Sequence, residues 1–163
     1  GLARNDNSFA RVYTFGKAMG AHGAVIVCST ELPKFLVNYC RPFIFSTALP
    51  LHSLAALNCG YQYLSKTAER REKLFALESL FREHINLPVG FEYVGGNAPI
   101  QSVIAPGNSV VKDLAAKVQA AVFDVRPILI PTVPKGKERI RICLHSYNTA
   151  EEVTKLALTL NSL

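Results

Sequence analysis

Lys17 stands in the stretch VYTFGKAMGAHGA, between Gly16 and Gly20 and three residues after Thr14. Small neighbours let a backbone curl tightly and let a flat molecule approach closely. A lysine amine can form a Schiff base, most often with pyridoxal phosphate (PLP), and can move protons. The same pattern also fits an ordinary exposed loop lysine. Arg141 is a second chemical candidate, flanked by Ile140 and Ile142 in RIRIC. A planar guanidinium fork matches a carboxylate in a way that lysine does not. Arg141 fits equally a surface arginine in a cross-strand ion pair, and Arg139 lies on the same face two residues earlier. Ser46 and Thr47 in FIFSTALP, and Thr132 in PTVP, offer hydroxyls that also suit turns, strands or loops, as does Thr14. His22 follows the lysine by five residues and could touch a cofactor, while His145 suits a turn before the last helix.

These residues need elements to hold them. Residues 9–15 read as a short strand leading into the glycine-rich turn. Residues 24–28, AVIVC, form a continuous apolar run of strand length, expected to be buried on both faces. Ser29, Thr30 and Glu31 offer caps for a short helix over 32–39 with Pro33 in its first turn. Arg41-Pro42 should break that helix, and residues 43–47 should be extended. Residues 51–64 and 67–86 carry apolar side chains at helical spacing, Leu54, Leu57, Tyr61 and Leu64, then Leu74, Leu77, Phe81 and Ile85. Residues 87–97 are too rich in proline and glycine for regular structure. A strand over 100–105 precedes a helix capped by Asn108 or Ser109. A short edge strand is expected at 123–125, then a proline-stiffened loop over 126–134. Residues 140–144 alternate as a strand. Thr149 and Glu152 form a capping box for the last helix. The second half is therefore a small α/β sandwich with helices packed on one sheet. The polar segment 65–71 marks the best domain crossing, dividing the chain into residues 1–66 and 67–163.

The chain has 163 residues, 49% of them hydrophobic and 18% charged, enough for a real core. Its net charge of +6 is moderately basic and suits a phosphate or coenzyme A partner. The basic residues are dispersed and not interleaved with aromatics, which argues against nucleic acid. The four cysteines form no C-x-x-C pair and lack zinc-ligand spacing, which points to a reducing, cytoplasmic protein. No signal peptide and no run long enough to span a bilayer are visible, so no membrane partner is expected.

TFGKAMGAHGA, FIFSTALP and PTVPKGKERIRICLHSYNT, in this order and spacing, resemble the α-oxoamine synthase family, over roughly residues 12–160. The resemblance implies an α/β protein of PLP-dependent transferase fold type I, aspartate-aminotransferase-like. Residues 1–66 would be the carboxy-terminal part of the large PLP-binding domain, and 67–163 the complete small domain. It implies a homodimeric acyltransferase that condenses an amino acid, here L-alanine, with an acyl-CoA or acyl-carrier-protein thioester and releases carbon dioxide. By the same resemblance Lys17 is the Schiff-base lysine and proton-transfer base. Thr14 contacts the cofactor phosphate. Ser46 and Thr47, Thr47 foremost, reach the phosphate of the neighbouring subunit. Thr132 lies near substrate, and Arg141 holds the amino-acid carboxylate. Arg126 is a candidate for the anionic part of the thioester, or an exposed loop charge. Relatives with an arginine just before P-P-T-V-P differ from this chain, which has Leu129 and Ile130 there.

The family's pyridine-pairing aspartate, ring-stacking histidine and glycine-rich phosphate turn lie upstream of the lysine, yet only 16 residues precede Lys17. Asp6, Asp113 and Asp124 stand in no matching context. The chain thus reads as the carboxy-terminal part of a longer enzyme, expected to hold PLP poorly alone. Two other readings remain open: a relative using glycine or serine, and a non-catalytic α/β dimerisation module.

Overall fold

The computed structural model describes residues 8–163. Asp6 lies outside them. The chain divides into two compact units, residues 1–66 and 67–163.

In the first unit, β1 (Ala10–Thr14) and β2 (Ala24–Cys28) pair antiparallel, with Ala10 opposite Cys28 and Thr14 opposite Ala24. Three helices follow: α1 (Glu31–Tyr39), α2 (Arg41–Ile44) and α3 (Leu51–Lys66). Ala24, Val25, Ile26 and Val27 are exposed, contrary to the expected double burial. The reason is that β2 has one hydrogen-bonded neighbour among the described residues, so it is not an interior strand of a wide sheet there. Residues 43–47 are likewise not extended. Helix α1 does end at Tyr39 with Cys40 extended, as Arg41-Pro42 suggested, but Pro42 then sits in the first turn of α2, where its missing N–H costs nothing, and starts a new helical turn. Thr30 is the N-cap of α1 by position, without a side-chain capping hydrogen bond.

The second unit runs α4 (Ala68–His84), β3 (Glu92–Val94), β4 (Ile100–Ile104), α5 (Asn108–Ala120), β5 (Arg126–Ile128), β6 (Arg139–Cys143) and α6 (Ala150–Asn161). Its strands form one antiparallel sheet in the order β3-β4-β6-β5. On β6, Ile140 and Ile142 are buried while Arg141 and Cys143 are exposed, so period-two alternation seals one face and opens the other. The sealed face meets Leu77 and Phe81 of α4, Val111, Leu114 and Val118 of α5, and Val153, Leu156 and Leu160 of α6. Each helix offers these at three- and four-residue spacing, the stripe that faces a core. Fully burying one such side chain is worth about 1.5–3 kcal/mol.

Several local expectations shift. β5 lies three residues later than the strand expected at 123–125. It is the edge strand beside β6, where Pro127 is tolerated because one of its sides needs no ladder hydrogen bond. β3, three residues long, lies inside the stretch expected to be irregular. Gly107, with φ of 106°, is the N-cap of α5 in place of Asn108 or Ser109. Asn108 is committed elsewhere: its Oδ1 accepts from the Ile130 amide at 3.3 Å. The capping box of α6 is present, with Thr149 Oγ1 accepting from the Glu152 amide at 3.2 Å and Glu152 Oε2 accepting from the Thr149 amide at 3.0 Å.

No helix among the described residues is long and apolar enough to cross a membrane. No cluster of metal-binding side chains occurs among them either.

Candidate active site

Lys17 lies in the turn between β1 and β2. The Phe15 amide donates to Gly23 O at 2.9 Å, and the Ala21 amide to Phe15 O at 3.0 Å, closing the hairpin. The Gly20 amide donates to Lys17 O at 3.0 Å and fixes the lysine backbone. Gly20 and Gly23 adopt φ of 60° and 111°, conformations that glycine enters without a Cβ penalty. Space around the lysine is open: a Cβ on Gly16 would meet nothing nearer than Ala21 O at 3.9 Å. The Lys17 side chain is exposed, and its amine makes no hydrogen bond or ion pair among the described residues. Thr14 ends β1 with its side chain also exposed.

The other hydroxyl pair follows α2. Ser46 Oγ donates to Pro42 O and so closes its own turn. Thr47 is exposed, and its hydroxyl has no partner among the described residues. Glu31 is the single acidic residue in the described part of this unit, and it pairs with Lys34 at 3.4 Å. The described part of the unit therefore presents an amine and hydroxyls with unused hydrogen-bonding capacity, and no free carboxylate.

In the second unit, Arg141 stands on the open face of β6. The ladder puts Ser102 of β4 opposite it on one side and Arg126 of β5 on the other. Arg141 lines a cleft of about 590 Å³ together with Phe123, Arg126, His145 and Lys155. Buried Val125, Ile142, Leu144 and Leu156 also line it. Arg139 differs from Arg141: its Nε donates to Lys137 O at 2.9 Å, so it is held in its own turn. Thr132 is exposed in the loop after β5, next to the cis Ile130–Pro131 bond, and is not among the residues lining the cleft. His145 stacks on Tyr147 at 4.8 Å and its amide donates to Asn148 Oδ1 at 2.8 Å, a local turn as its sequence position suggested.

Glu138 positions the strand that carries Arg141. Its carbonyl accepts from the Ala105 amide at 2.9 Å and its buried carboxylate accepts from the Gly107 amide at 3.1 Å. The Gly107 hydrogen bond, helped by the Glu138 and Gly136 amides, holds this carboxyl below the usual glutamate range. Glu138 ties the start of β6 to the turn before α5, and nothing in its sequence context signalled that. Lys155 was also missed. It reaches the cleft because α6 places it there, its ammonium 5.8 Å from the centre of the Phe123 ring.

Residues 1–160 match the profile of aminotransferase class I and II. The chain belongs to that family. It is 37% identical over 164 residues to an 8-amino-7-oxononanoate synthase of Emericella nidulans, covering 98% of this chain and 40% of that protein. It is 34% identical over 146 residues to the protein of that name from Xanthomonas oryzae pv. oryzae, covering 90% of this chain and 36% of that protein. This family member thus spans about 40% or less of the length of these relatives. Among solved structures, 8-amino-7-oxononanoate synthase from Francisella tularensis superposes with a TM-score of 0.78 at 24% identity, over 94% of this chain and 45% of that one. Sphingomonas wittichii serine palmitoyltransferase gives 0.74 at 22% identity, over 94% and 39%. The fold is therefore the PLP-dependent transferase fold type I, as the three motifs implied.

Proposed function

We propose that this chain is part of a PLP-dependent acyltransferase that condenses L-alanine with a pimeloyl thioester to give 8-amino-7-oxononanoate, a step of biotin synthesis, in the cytoplasm. The observation that carries this reading is the unpaired Lys17 amine in its open, glycine-flanked turn. The names of the relatives at 34% and 37% identity support the choice of reaction.

The residues present fit both reactive ends of the cofactor. A free amine suits an aldehyde, and the hydroxyls of Thr14 and Thr47 suit a phosphate dianion. Bound PLP would supply an electron sink at the amino-acid Cα. Lys17 anchors the cofactor covalently and moves the proton at Cα. Thr14 donates to the phosphate. Thr47, with Ser46 second because its hydroxyl is already engaged, acts toward the phosphate of a second copy, which makes the working form a homodimer. Arg141 grips the amino-acid carboxylate and so orients the Cα bond to be broken. Thr132 lies beside the substrate. The acyl group of the thioester is transferred to Cα as its C–S bond breaks and the coenzyme A or carrier-protein thiol leaves, and the Cα–carboxylate bond breaks to release carbon dioxide.

Borohydride reduction with PLP, followed by peptide mapping, tests the assignment. A pyridoxyl group on Lys17, absent from Lys17→Ala, is expected. Equal labelling of other lysines, or an unchanged pattern in Lys17→Ala, would overturn it. Because the described residues of the first unit supply no free carboxylate for the pyridine nitrogen, labelling should need PLP in excess.

A further inference from the structure

Arg126 of β5 lies directly opposite Arg141 of β6 in the antiparallel ladder. Residues so paired point to the same face with Cα atoms about 5 Å apart, and like charges in that position repel. Both line the same cleft, with the ammonium-bearing Lys155 on another wall. The acids nearby do not balance this pair. Asp124 Oδ1 is 3.1 Å from Arg126 Nε, and its Oδ2 accepts from Arg126 Nη2 at 3.4 Å, so it answers one arginine in an exposed position. Glu152 is engaged by the Thr149 amide at 3.0 Å and Asn148 Nδ2 at 3.2 Å. The Arg141 side chain has no hydrogen bond or ion pair among the described residues. Two arginines on adjacent strands thus share one face of the sheet and one cleft, and the side chain of one of them is unanswered.

We infer that Arg126 and Arg141 clamp a single substrate carboxylate between them, which makes Arg126 a further substrate-binding residue. This rests on the reading of Arg141 as the grip on the amino-acid carboxylate and adds a second grip opposite it. A carboxylate has two oxygens and about four lone-pair directions, enough for both forks. Its negative charge removes the cross-strand repulsion that the empty pair carries. Asp124 is then the internal competitor, holding Arg126 until the ligand carboxylate replaces it.

The test follows the arginine Nε–Hε signals of the whole chain by NMR while acetate, then L-alanine, is added. The Arg126 and Arg141 signals should move together with one dissociation constant. Arg126→Gln should weaken acetate binding about tenfold, the scale of a lost charge-assisted hydrogen bond. Arg126→Lys should not restore it, because an ammonium lacks the planar fork. Asp124→Asn should tighten binding by freeing Arg126. If Arg141 alone responds and Arg126→Gln binds acetate like the parent, the clamp is wrong and the Arg141 assignment stands. If neither signal moves, the clamp and the Arg141 assignment both fall, while Lys17 is judged separately by its pyridoxyl label.

Discussion

In residues 8–66, β2 pairs with β1 alone and Val25, Ile26 and Val27 stay exposed, whereas in residues 67–163 the inward side chains of β6 are sealed beneath three helices. Both regions are rich in apolar residues. In the first, Phe35, Val37, Phe43 and Phe45 are exposed as well, and Phe15 and Leu57 are the buried hydrophobics among its described residues. In the second, residues from three strands and three helices interlock. The difference teaches that apolar composition does not make a core; a second layer does. It also separates two ways of holding a reactive group. Arg141 is fixed by a strand whose other face is packed solid. Lys17 is fixed by backbone hydrogen bonds across one hairpin turn.

The largest expected effect comes from dividing the chain. Residues 67–163 expressed alone should unfold cooperatively in urea and protect the amides of β4, β6 and α6 from exchange. Residues 1–66 alone should show no cooperative transition, because two buried hydrophobic side chains cannot offset the entropy of ordering about sixty residues. A cooperative melt of the first piece would break the comparison.

Next comes the core itself. Phe81 is fully buried and meets Tyr93 edge-on, ring centres 5.9 Å apart. Phe81→Ala should cost about 3–5 kcal/mol, read from the urea midpoint of residues 67–163. Phe43→Ala, at a 63% exposed position in the other unit, should shift the urea transition of the whole chain by less than about 0.5 kcal/mol. Similar losses at the two positions would mean that their burial does not differ in solution.

Much of this was legible in the chain. The stripes of α4, α5 and α6 were, because three- and four-residue spacing survives any tertiary context. The Thr149–Glu152 capping box was, because it is a local hydrogen-bond exchange. The turn around Lys17 was, because its glycines announce a tight curl. What stayed hidden depends on neighbours far away in sequence. AVIVC reads as a buried strand whether or not anything covers it. Gly107 caps α5 because Glu138, thirty-one residues on, receives its amide. The facing of Arg126 and Arg141 follows from a register that no local pattern specifies.

A smaller effect, with the opposite sign, is expected at Val122. This β-branched residue has φ of 69° and is 89% exposed, just after α5. The left-handed region costs an L side chain about 1–2 kcal/mol, and glycine avoids that while adding some freedom to the unfolded chain. Val122→Gly should raise stability by about 1 kcal/mol. Val122→Ala keeps the Cβ and should gain much less. Equal gains would show that the backbone conformation is not the source.

The smallest effect separates two glutamates inside the packed unit. Glu78 of α4 is buried with Oε1 lacking a hydrogen-bond partner among the described residues. Loss of solvation raises its carboxyl above the ordinary value of 4.5, against the pull of Arg82. The folded state therefore holds this proton more tightly than the unfolded chain. Its stabilising contribution is complete below the unfolded value and is lost as pH rises through the raised one. Glu138 runs the other way. Its carboxyl is held low by backbone amides, so its contribution is present above the unfolded value and is lost as pH falls through the folded one. Stability curves from pH 3 to 8 should show this as opposite slopes. Glu78→Gln should gain on the parent as pH rises from the acid side to neutrality. Glu138→Gln should fall further behind over the same range, because an amide keeps the shape but not the charge that the Gly107 amide meets. A Glu78→Gln difference that is flat with pH would mean that water reaches Oε1, and the packed unit would then be less sealed at α4 than at β6.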